Sequence, residues 1–175
     1  MKNLCVWHKT NAGMGSFYRS AHELILVFKH GTARHINNFG LGRSRYRTNV
    51  WTAPGANIPG SNANKMHKHH PTPKPVSLVA DAILDCSRRG DIVLDAFAGS
   101  GTIFVAAEKT GRAARGIEIG PMYVDLAIGR WQKFTGQKAI LLETEETFSK
   151  VRRRRLAADE VETRVRRRRR MRHAE

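Results

Sequence analysis

Residues 91–102 and 116–119 constrain the fold of this chain more than any other part of its sequence. The run 91–96 is apolar and strand-like, the run 97–101 contains two glycines, and a helical pattern starts at its end. A second apolar run follows and ends near the acid Glu118, nineteen residues after Gly99. This succession of strand, glycine turn, helix and strand with an acid at its end is typical of a nucleotide-type cofactor pocket on a parallel sheet.

The residues of the turn narrow the class of cofactor. A phosphate-binding P-loop ends in Gly-Lys-Ser or Gly-Lys-Thr, whereas Gly101 is followed by Thr102 and Ile103. A dinucleotide fingerprint has a third glycine where this chain has Phe104. A glycine turn without a phosphate-binding lysine suits a less anionic adenosyl cofactor, and we expect S-adenosyl-L-methionine. The alternative is a tight strand-to-helix turn that binds no ligand.

The remaining sequence alternates between strand and helix patterns, which predicts right-handed crossovers and a parallel sheet. Residues 30–70 are rich in Asn, Gly, Arg and His and predict a long loop. Strands are predicted at 3–9, 22–29, 91–96, 114–119 and 138–143, and helices at 76–88, 101–109 and 121–135.

The charge of the chain favours a polyanionic partner. The net charge is +16, and residues 150–175 hold twelve Lys or Arg against four Asp or Glu. A nucleic acid, either DNA or RNA, is the natural partner of such a protein. The sequence has no apolar run of about 18 residues, and its two cysteines have no metal or redox spacing. We therefore expect a cytoplasmic protein with no membrane partner and no metal site; His67, His69 and His70 lack further ligands at suitable spacing.

Four segments of the chain carry a family resemblance. They are DIVLDAFAGSGTIFVAAEKTGRAARGIEIGPMYVDLAIGRW (91–131), HHPTPKPVSLVADAIL (69–84), LCVWHKTNAGMGSFYRSAHELILVFKHG (4–31) and NNFGLGRSRYRTNVWTAPGAN (37–57). The first three are similar to DNA amino-methyltransferases of the circularly permuted β class. The fourth is similar to the adenine-specific subgroup in which a ParB-like domain precedes the methylase. Together the resemblance covers roughly residues 3–148.

The resemblance implies an α/β fold, namely the Rossmann-like fold of S-adenosylmethionine-dependent methyltransferases in permuted form. By the family's strand order 3-2-1-4-5-7-6, the central strands 4 and 5 are missing, so the fold is expected to be incomplete. The implied division is a partial methyltransferase domain at 1–148 and an Arg-rich tail, helical or disordered, at 149–175. Within the domain, 30–70 corresponds to the target-recognition loop and 71–148 to the cofactor-binding half.

The resemblance also implies two sets of site residues. Phe97–Gly101 would wrap the methionine part of the cofactor with backbone amides, and Glu118 would accept hydrogen bonds from the ribose. The full cofactor set is Thr72, Lys74, Asp95, Phe97, Gly99, Ser100, Gly101, Thr102 and Glu118. For Asp95 the alternative is a capping acid, and for Lys74 a solvated side chain. The implied DNA-binding set is Arg43, Arg45, Arg47 and Lys65, with a solvated polar loop as the alternative.

The family's catalytic box, Asp/Asn/Ser-Pro-Pro followed by an aromatic residue, is missing from this chain. Its six prolines, Pro54, Pro59, Pro71, Pro73, Pro75 and Pro121, include no adjacent pair, so no catalytic residue is assigned. Two smaller departures are Ala96, where the family has proline, and Gly120, where it has an acid. Three hypotheses follow: a truncated methyltransferase, one part of a split enzyme whose second chain supplies the box, or a catalytically inactive nucleic-acid-binding remnant.

Overall fold

The structure is a computed structural model that describes residues 1–13, 17–39, 47–55 and 74–158. The chain divides into two compact units, Met1–Trp131 and Gln132–Glu175. The described part of the first unit contains two small sheets, and the described part of the second contains a hairpin and a helix. No helix in the described ranges combines the length and hydropathy that a bilayer span requires.

The first sheet has the order β2-β1-β3. Strands β1 (Asn3–Lys9) and β2 (His22–Val27) are antiparallel and confirm the predicted strands at 3–9 and 22–29. Strand β3 (Val50–Ala53) pairs with β1 in parallel. The prediction of one long loop over 30–70 was therefore wrong at these four residues. A strand this short shows almost no alternation in the sequence, although β-branched and aromatic residues favour it.

The second sheet lies at the glycine turn. Helix α1 (Val76–Cys86) precedes strand β4 (Ile92–Asp95), which is followed by helix α2 (Thr102–Thr110) and strand β5 (Ala113–Gly116). The two strands are parallel, as predicted. Gly111 ends α2 with a positive φ of 71° and donates to the carbonyls of Ala107 and Glu108, the usual way in which glycine terminates a helix. β5 is shorter than the predicted strand at 114–119, because its ladder with β4 stops at Gly116.

Helix α3 (Pro121–Thr135) agrees with the prediction at both ends. The predicted strand at 138–143 is reduced to β6 (Ile140–Leu141), which forms a hairpin with an unpredicted strand β7 (Glu146–Thr147). Residues 148–158 are helical (α4), and the rest of the predicted Arg-rich tail lies outside the described residues.

Helix α1 packs against both parts of the first unit. Its Ala80 and Ile83 join a buried cluster with Ile103 and Ala106 of α2, to which Val93 of β4 also packs. On the other side, Leu78 of α1 is buried with Trp7 of β1 and Ala53 of β3. The hydrophobic core of the unit is therefore organised around α1.

The opposite faces of both sheets are apolar and exposed. The cross-strand pairs of the first sheet place Leu4 beside Leu26, and Val6 beside both Leu24 and Val50. Successive residues of a strand point to opposite faces, so these five share the face that α1 does not cover. Leu24, Leu26 and Val50 are 59%, 57% and 52% exposed.

The second sheet also has one face packed against the core and one apolar face that is exposed. Val93 packs toward the core, whereas its neighbours Ile92 and Leu94 are 67% and 68% exposed. Sheets of parallel strands normally bury both faces under helices. Within the described ranges, β4 pairs only with β5 and β2 only with β1, and no strand joins the two sheets. The prediction of a partial α/β fold is confirmed.

Candidate functional site

The glycine turn follows directly from the end of β4. The carboxylate of Asp95 accepts a hydrogen bond from the amide of Phe97 at 3.0 Å, which forms the short local turn that Asp favours. The amide of Gly101 donates to the carbonyl of Ala98 at 2.8 Å. Gly99 and Gly101 have φ angles of 50° and 73°, in the left-handed region where glycine is favoured. Two glycines are therefore needed for this backbone path.

Glu118, two residues after the end of β5, contacts the turn. One carboxylate oxygen accepts the amide of Gly99 at 2.7 Å, and the other accepts the amide of Gly120 at 2.8 Å. Gly99 and Glu118, nineteen residues apart in the chain, are thus in direct contact, which the sequence did not predict. A carboxylate offers about four acceptor positions and can therefore bond several donors at once. The same group can hold the turn and accept hydroxyl hydrogen bonds from a ribose.

Ile117 and Ile119 flank Glu118 in the chain, and Phe97 lies two residues before Gly99, whose amide bonds Glu118. Phe97 and Ile119 are 90% and 98% exposed, and Ile117 is 63% exposed. Exposed apolar side chains can contact a flat ring, and a nearby carboxylate can accept hydrogen bonds from the polar groups attached to it. An adenosine moiety has both requirements. Ile119 was not among the predicted site residues, although it directly follows the acid.

The inner side of the turn is fixed by helix α3. The Arg130 guanidinium donates to the carbonyl oxygen of Ser100, to its hydroxyl at 3.0 Å and to the Thr102 hydroxyl at 3.3 Å. Burial lowers the pKa of Arg130 from its usual value. One turn earlier on α3, buried Ala127 lies so close to Gly101 that a side chain there would clash. Arg130 was not predicted from the sequence, because an arginine in a helix is usually solvated.

The predicted cofactor residue Lys74 connects the turn to the first sheet. Its carbonyl accepts the Thr102 hydroxyl at 3.3 Å, and its ammonium group bonds Glu23 of β2 at 2.8 Å. Lys9 bonds the same carboxylate at 2.8 Å, and the ammonium groups of Lys9 and Lys74 lie over the ring of Trp7, at 5.1 and 5.6 Å from its centroid. In this structure, Lys74 therefore belongs to an ion cluster. Thr72 lies outside the described residues.

The ion cluster makes a pH-dependent contribution to stability. Burial by itself raises the pKa of Glu23, but hydrogen bonds from Lys74 and Lys9 outweigh it, and the net pKa is lowered. A lowered folded-state pKa stabilises the fold above the unfolded-state value of about 4.3, and this gain is lost as pH falls through the folded value. We expect Glu23→Gln to lower the free energy of unfolding at pH 7 by up to about 1 kcal/mol, because the pair is partly solvated.

Urea unfolding at pH 7 and in steps below pH 5 measures this effect. The difference between wild type and Glu23→Gln should shrink toward zero as the pH falls. The exposed Glu143 provides the control Glu143→Gln, which should change the free energy of unfolding at pH 7 less than Glu23→Gln does. A difference for Glu23→Gln that stays constant down to acid pH would contradict the role given to the ion cluster.

Of the predicted DNA-binding residues, only Arg47 lies in the described part of the chain; Arg43, Arg45 and Lys65 do not. Arg47 bonds Asp81 at 2.8 Å and Asp85 at 3.3 Å, and its guanidinium stacks 4.8 Å from the ring centroid of Trp51. Its side chain is 18% exposed. These contacts fix β3 to α1 and favour a structural role, so DNA contact by Arg47 stays a prediction.

A cavity of about 330 Å³ lies beside β3 and α1, next to Arg47, and none of its lining residues belongs to the glycine turn. At the turn, the amides of Phe97, Ala98, Gly99 and Gly101 all donate within the protein. The role of these amides in wrapping a methionine group stays a prediction. What the structure brings together is the turn, Glu118 and the buried side of α3.

Comparison with known proteins gives consistent results. A family model described as DNA methylase matches residues 1–129. The Type II methyltransferase M.HpaI of Haemophilus parainfluenzae is 38% identical over 139 aligned residues, and the match covers 69% of this chain and 42% of that protein. The M1.HpyAVI complex with SAM matches 74% of this chain and 61% of that one at 28% identity, with a TM-score of 0.59. TTHA0409 of Thermus thermophilus, complexed with S-adenosyl-L-methionine, matches 75% of this chain and 53% of that one at 31% identity, with a TM-score of 0.52.

The matched proteins are considerably longer than the region they share with this chain. The chain spans less than half of the length of M.HpaI and about three fifths of M1.HpyAVI. The shared region includes both sheets and the glycine turn, because the family model extends from residue 1 to residue 129.

Proposed function

The chain belongs to the DNA methylase family, and we propose that it forms the S-adenosyl-L-methionine-binding part of a site-specific DNA amino-methyltransferase. The proposed target is the exocyclic amino group of adenine. The observation that carries the proposal is the contact of the Gly99 amide with the Glu118 carboxylate at the mouth of the glycine turn. Relatives solved with this cofactor share the fold at 28% and 31% identity.

The residues present fit such a cofactor. A carboxylate such as that of Glu118 is a suitable acceptor for ribose hydroxyls, and the exposed Phe97 and Ile119 suit contact with an adenine ring. The turn itself contains no lysine, which agrees with a ligand that has no phosphates. When bound, the cofactor supplies the methyl group. This chain's own residues bind and orient it.

Methyl transfer to DNA requires a group that accepts the amino hydrogens of a flipped base. No adjacent proline pair exists in this sequence, so the family's catalytic box is not among its 175 residues. We propose that a second polypeptide supplies the box. Two features support this: the matched relatives carry a large further part, and both sheets have a bare apolar face and an unpaired edge within the described ranges.

DNA contact is proposed for the basic segments of the chain. A net charge of +16 attracts a polyanion, and the blocks Arg152–Arg155 and Arg166–Arg170 add sequence-independent contacts to phosphates. The loop arginines Arg43 and Arg45 and the lysine Lys65 are proposed to contact the recognition sequence. A cytoplasmic location belongs to the same proposal, because the proposed substrate and cofactor meet there.

A reconstitution assay tests the proposal. The chain is mixed with a polypeptide that carries an Asp-Pro-Pro-Tyr box and its flanking strands, and transfer of a tritiated methyl group to unmethylated DNA is measured. We expect transfer by the mixture and none by either component alone, since each lacks half of the site. A mixture with Glu118→Ala is the control and should lose transfer.

Two results would contradict the proposal. Transfer by the chain alone would mean that its own residues are catalytic. Binding of cofactor and DNA by the mixture without any transfer would favour an inactive nucleic-acid-binding remnant of such an enzyme.

A further inference from the structure

We propose that Arg130 is a positioning residue of the cofactor site: its guanidinium holds the glycine turn in the form that receives the amino-acid part of the cofactor. This inference rests on the proposed function. Arg130 lies on α3, outside the turn and outside strand β5, and nothing in the sequence motif points to it. Its evidence is the set of contacts that it makes beneath the turn.

The contacts of Arg130 are those of a clamp. One guanidinium nitrogen donates to the carbonyl oxygen and the hydroxyl of Ser100, and to the hydroxyl of Thr102. Ser100 and Thr102 are only 3% and 8% exposed, so these acceptors have little access to water. The clamp therefore fixes both the backbone and the side chains of the two residues that flank Gly101.

The charge of Arg130 is unusual in this position. In the described ranges no carboxylate forms an ion pair with it, and its partners are neutral oxygens. A partly buried cation without a counter-ion is costly, because neutral hydrogen bonds replace only part of its hydration. An apolar residue would satisfy packing at lower cost. An arginine here fits a role in which positive charge beneath the turn attracts an anionic group, such as the carboxylate of the cofactor.

The neighbouring contacts make the clamp specific to the turn. Thr102 also donates to the Lys74 carbonyl at 3.3 Å, and Ala127 packs against Gly101. A displacement of Arg130 would thus change the conformation of the turn. Glu118, in contrast, contacts Gly99 and Gly120, and neither is an Arg130 partner. We therefore expect Arg130 to affect the amino-acid end of the ligand and Glu118 the adenosine end.

Two ligands distinguish the contributions of the amino-acid end and the adenosine end to binding. S-adenosylhomocysteine has the amino-acid group, and 5′-methylthioadenosine lacks it. We expect Arg130→Met to raise the Kd of S-adenosylhomocysteine roughly 30-fold and that of 5′-methylthioadenosine less than about threefold. Arg130→Lys retains the charge without the planar fork and should recover part of the loss. Arg88→Met, at an exposed arginine, is the matched control and should change neither Kd.

Calorimetric titration and the urea midpoint of each unliganded variant decide the outcome. The proposal would be overturned if Arg130→Met lost affinity equally for both ligands, or if Arg130→Lys recovered none of the lost affinity. Either result would show a merely structural role. If Arg130→Met does not unfold cooperatively, the Kd values of the two ligands are compared between wild type, Arg130→Lys and Arg130→Gln instead. Failure of the wild type to bind either ligand would instead be a failure of the proposed function.

Discussion

Replacing Glu118 with alanine should weaken S-adenosyl-L-methionine binding by about 30- to 100-fold. The substitution removes hydrogen bonds to the amides of Gly99 and Gly120, at 2.7 and 2.8 Å, together with the proposed ribose acceptor. Hydrogen bonds to a charged group contribute roughly 1.5–3 kcal/mol each, and every 1.4 kcal/mol is about tenfold in Kd. Calorimetric titration of wild type and variant measures the change. The expected effect is large because one side chain shapes the turn and is also proposed to contact the ligand.

Two further variants make the Glu118 result specific. Glu118→Gln retains one carbonyl acceptor and should lose less affinity than alanine does. Glu143→Ala removes an exposed acid of the second unit and should leave Kd unchanged. An unchanged Kd for Glu118→Ala, in a variant that still unfolds cooperatively, would show that the acid is not part of the binding site.

Gly101→Ala should lower the free energy of unfolding by about 2–5 kcal/mol. The φ of Gly101 is 73°, a left-handed conformation that costs an L-residue roughly 1–2 kcal/mol. An added Cβ would also lie 2.5 Å from the Cβ of Ala127 and 2.9 Å from its Cα, so α3 would have to move. Overpacking of this kind costs about 1–3 kcal/mol. Urea unfolding of the unliganded protein measures the sum.

Gly31→Ala separates the two causes. Gly31 has the same φ of 73°, but a Cβ there would meet nothing within 4 Å. This control should show only the backbone cost, about 1–2 kcal/mol. An equal decrease in the free energy of unfolding for Gly101→Ala and Gly31→Ala would mean that α3 does not pack closely against the turn. That result would also weaken the positioning role proposed for Arg130.

The glycine turn could be predicted from the sequence because its parts are local. A few adjacent residues suffice to predict each part: the glycines of the turn, the acid that follows the next strand and the glycine that ends α2. The structure then brings Gly99 and Glu118 to 2.7 Å. The register of β4 with β5 explains this proximity, since Asp95 pairs with Gly116 at the same edge of the sheet.

Other features depend on contacts between distant segments and could not be predicted in the same way. Strand β3 exists because Val50–Ala53 pair with β1, more than forty residues earlier, and the Ala53 carbonyl accepts the indole N–H of Trp7. The ion pairs of Arg47 could not be predicted, because its partners, Asp81 and Asp85, lie on a helix far along the chain. Arg130 was missed for the same reason.

The exposed apolar faces favour the interpretation that this chain is part of a larger site. Leu24 and Leu26 on one sheet, and Ile92 and Leu94 on the other, are all more than half exposed. Each fully buried side chain of this type contributes about 1.5–3 kcal/mol, so leaving several uncovered forgoes a large part of the usual stabilisation. A polypeptide that covers these faces should stabilise the chain as it completes the site.

Whether this chain contains a formed S-adenosyl-L-methionine site is decided by calorimetric titration of the wild-type protein with this cofactor. We expect saturable binding of one cofactor per chain, by a protein that unfolds cooperatively. The absence of saturable binding to a cooperatively folded protein would contradict the proposed function, because the turn, Glu118 and Arg130 would then be folded without forming a binding site.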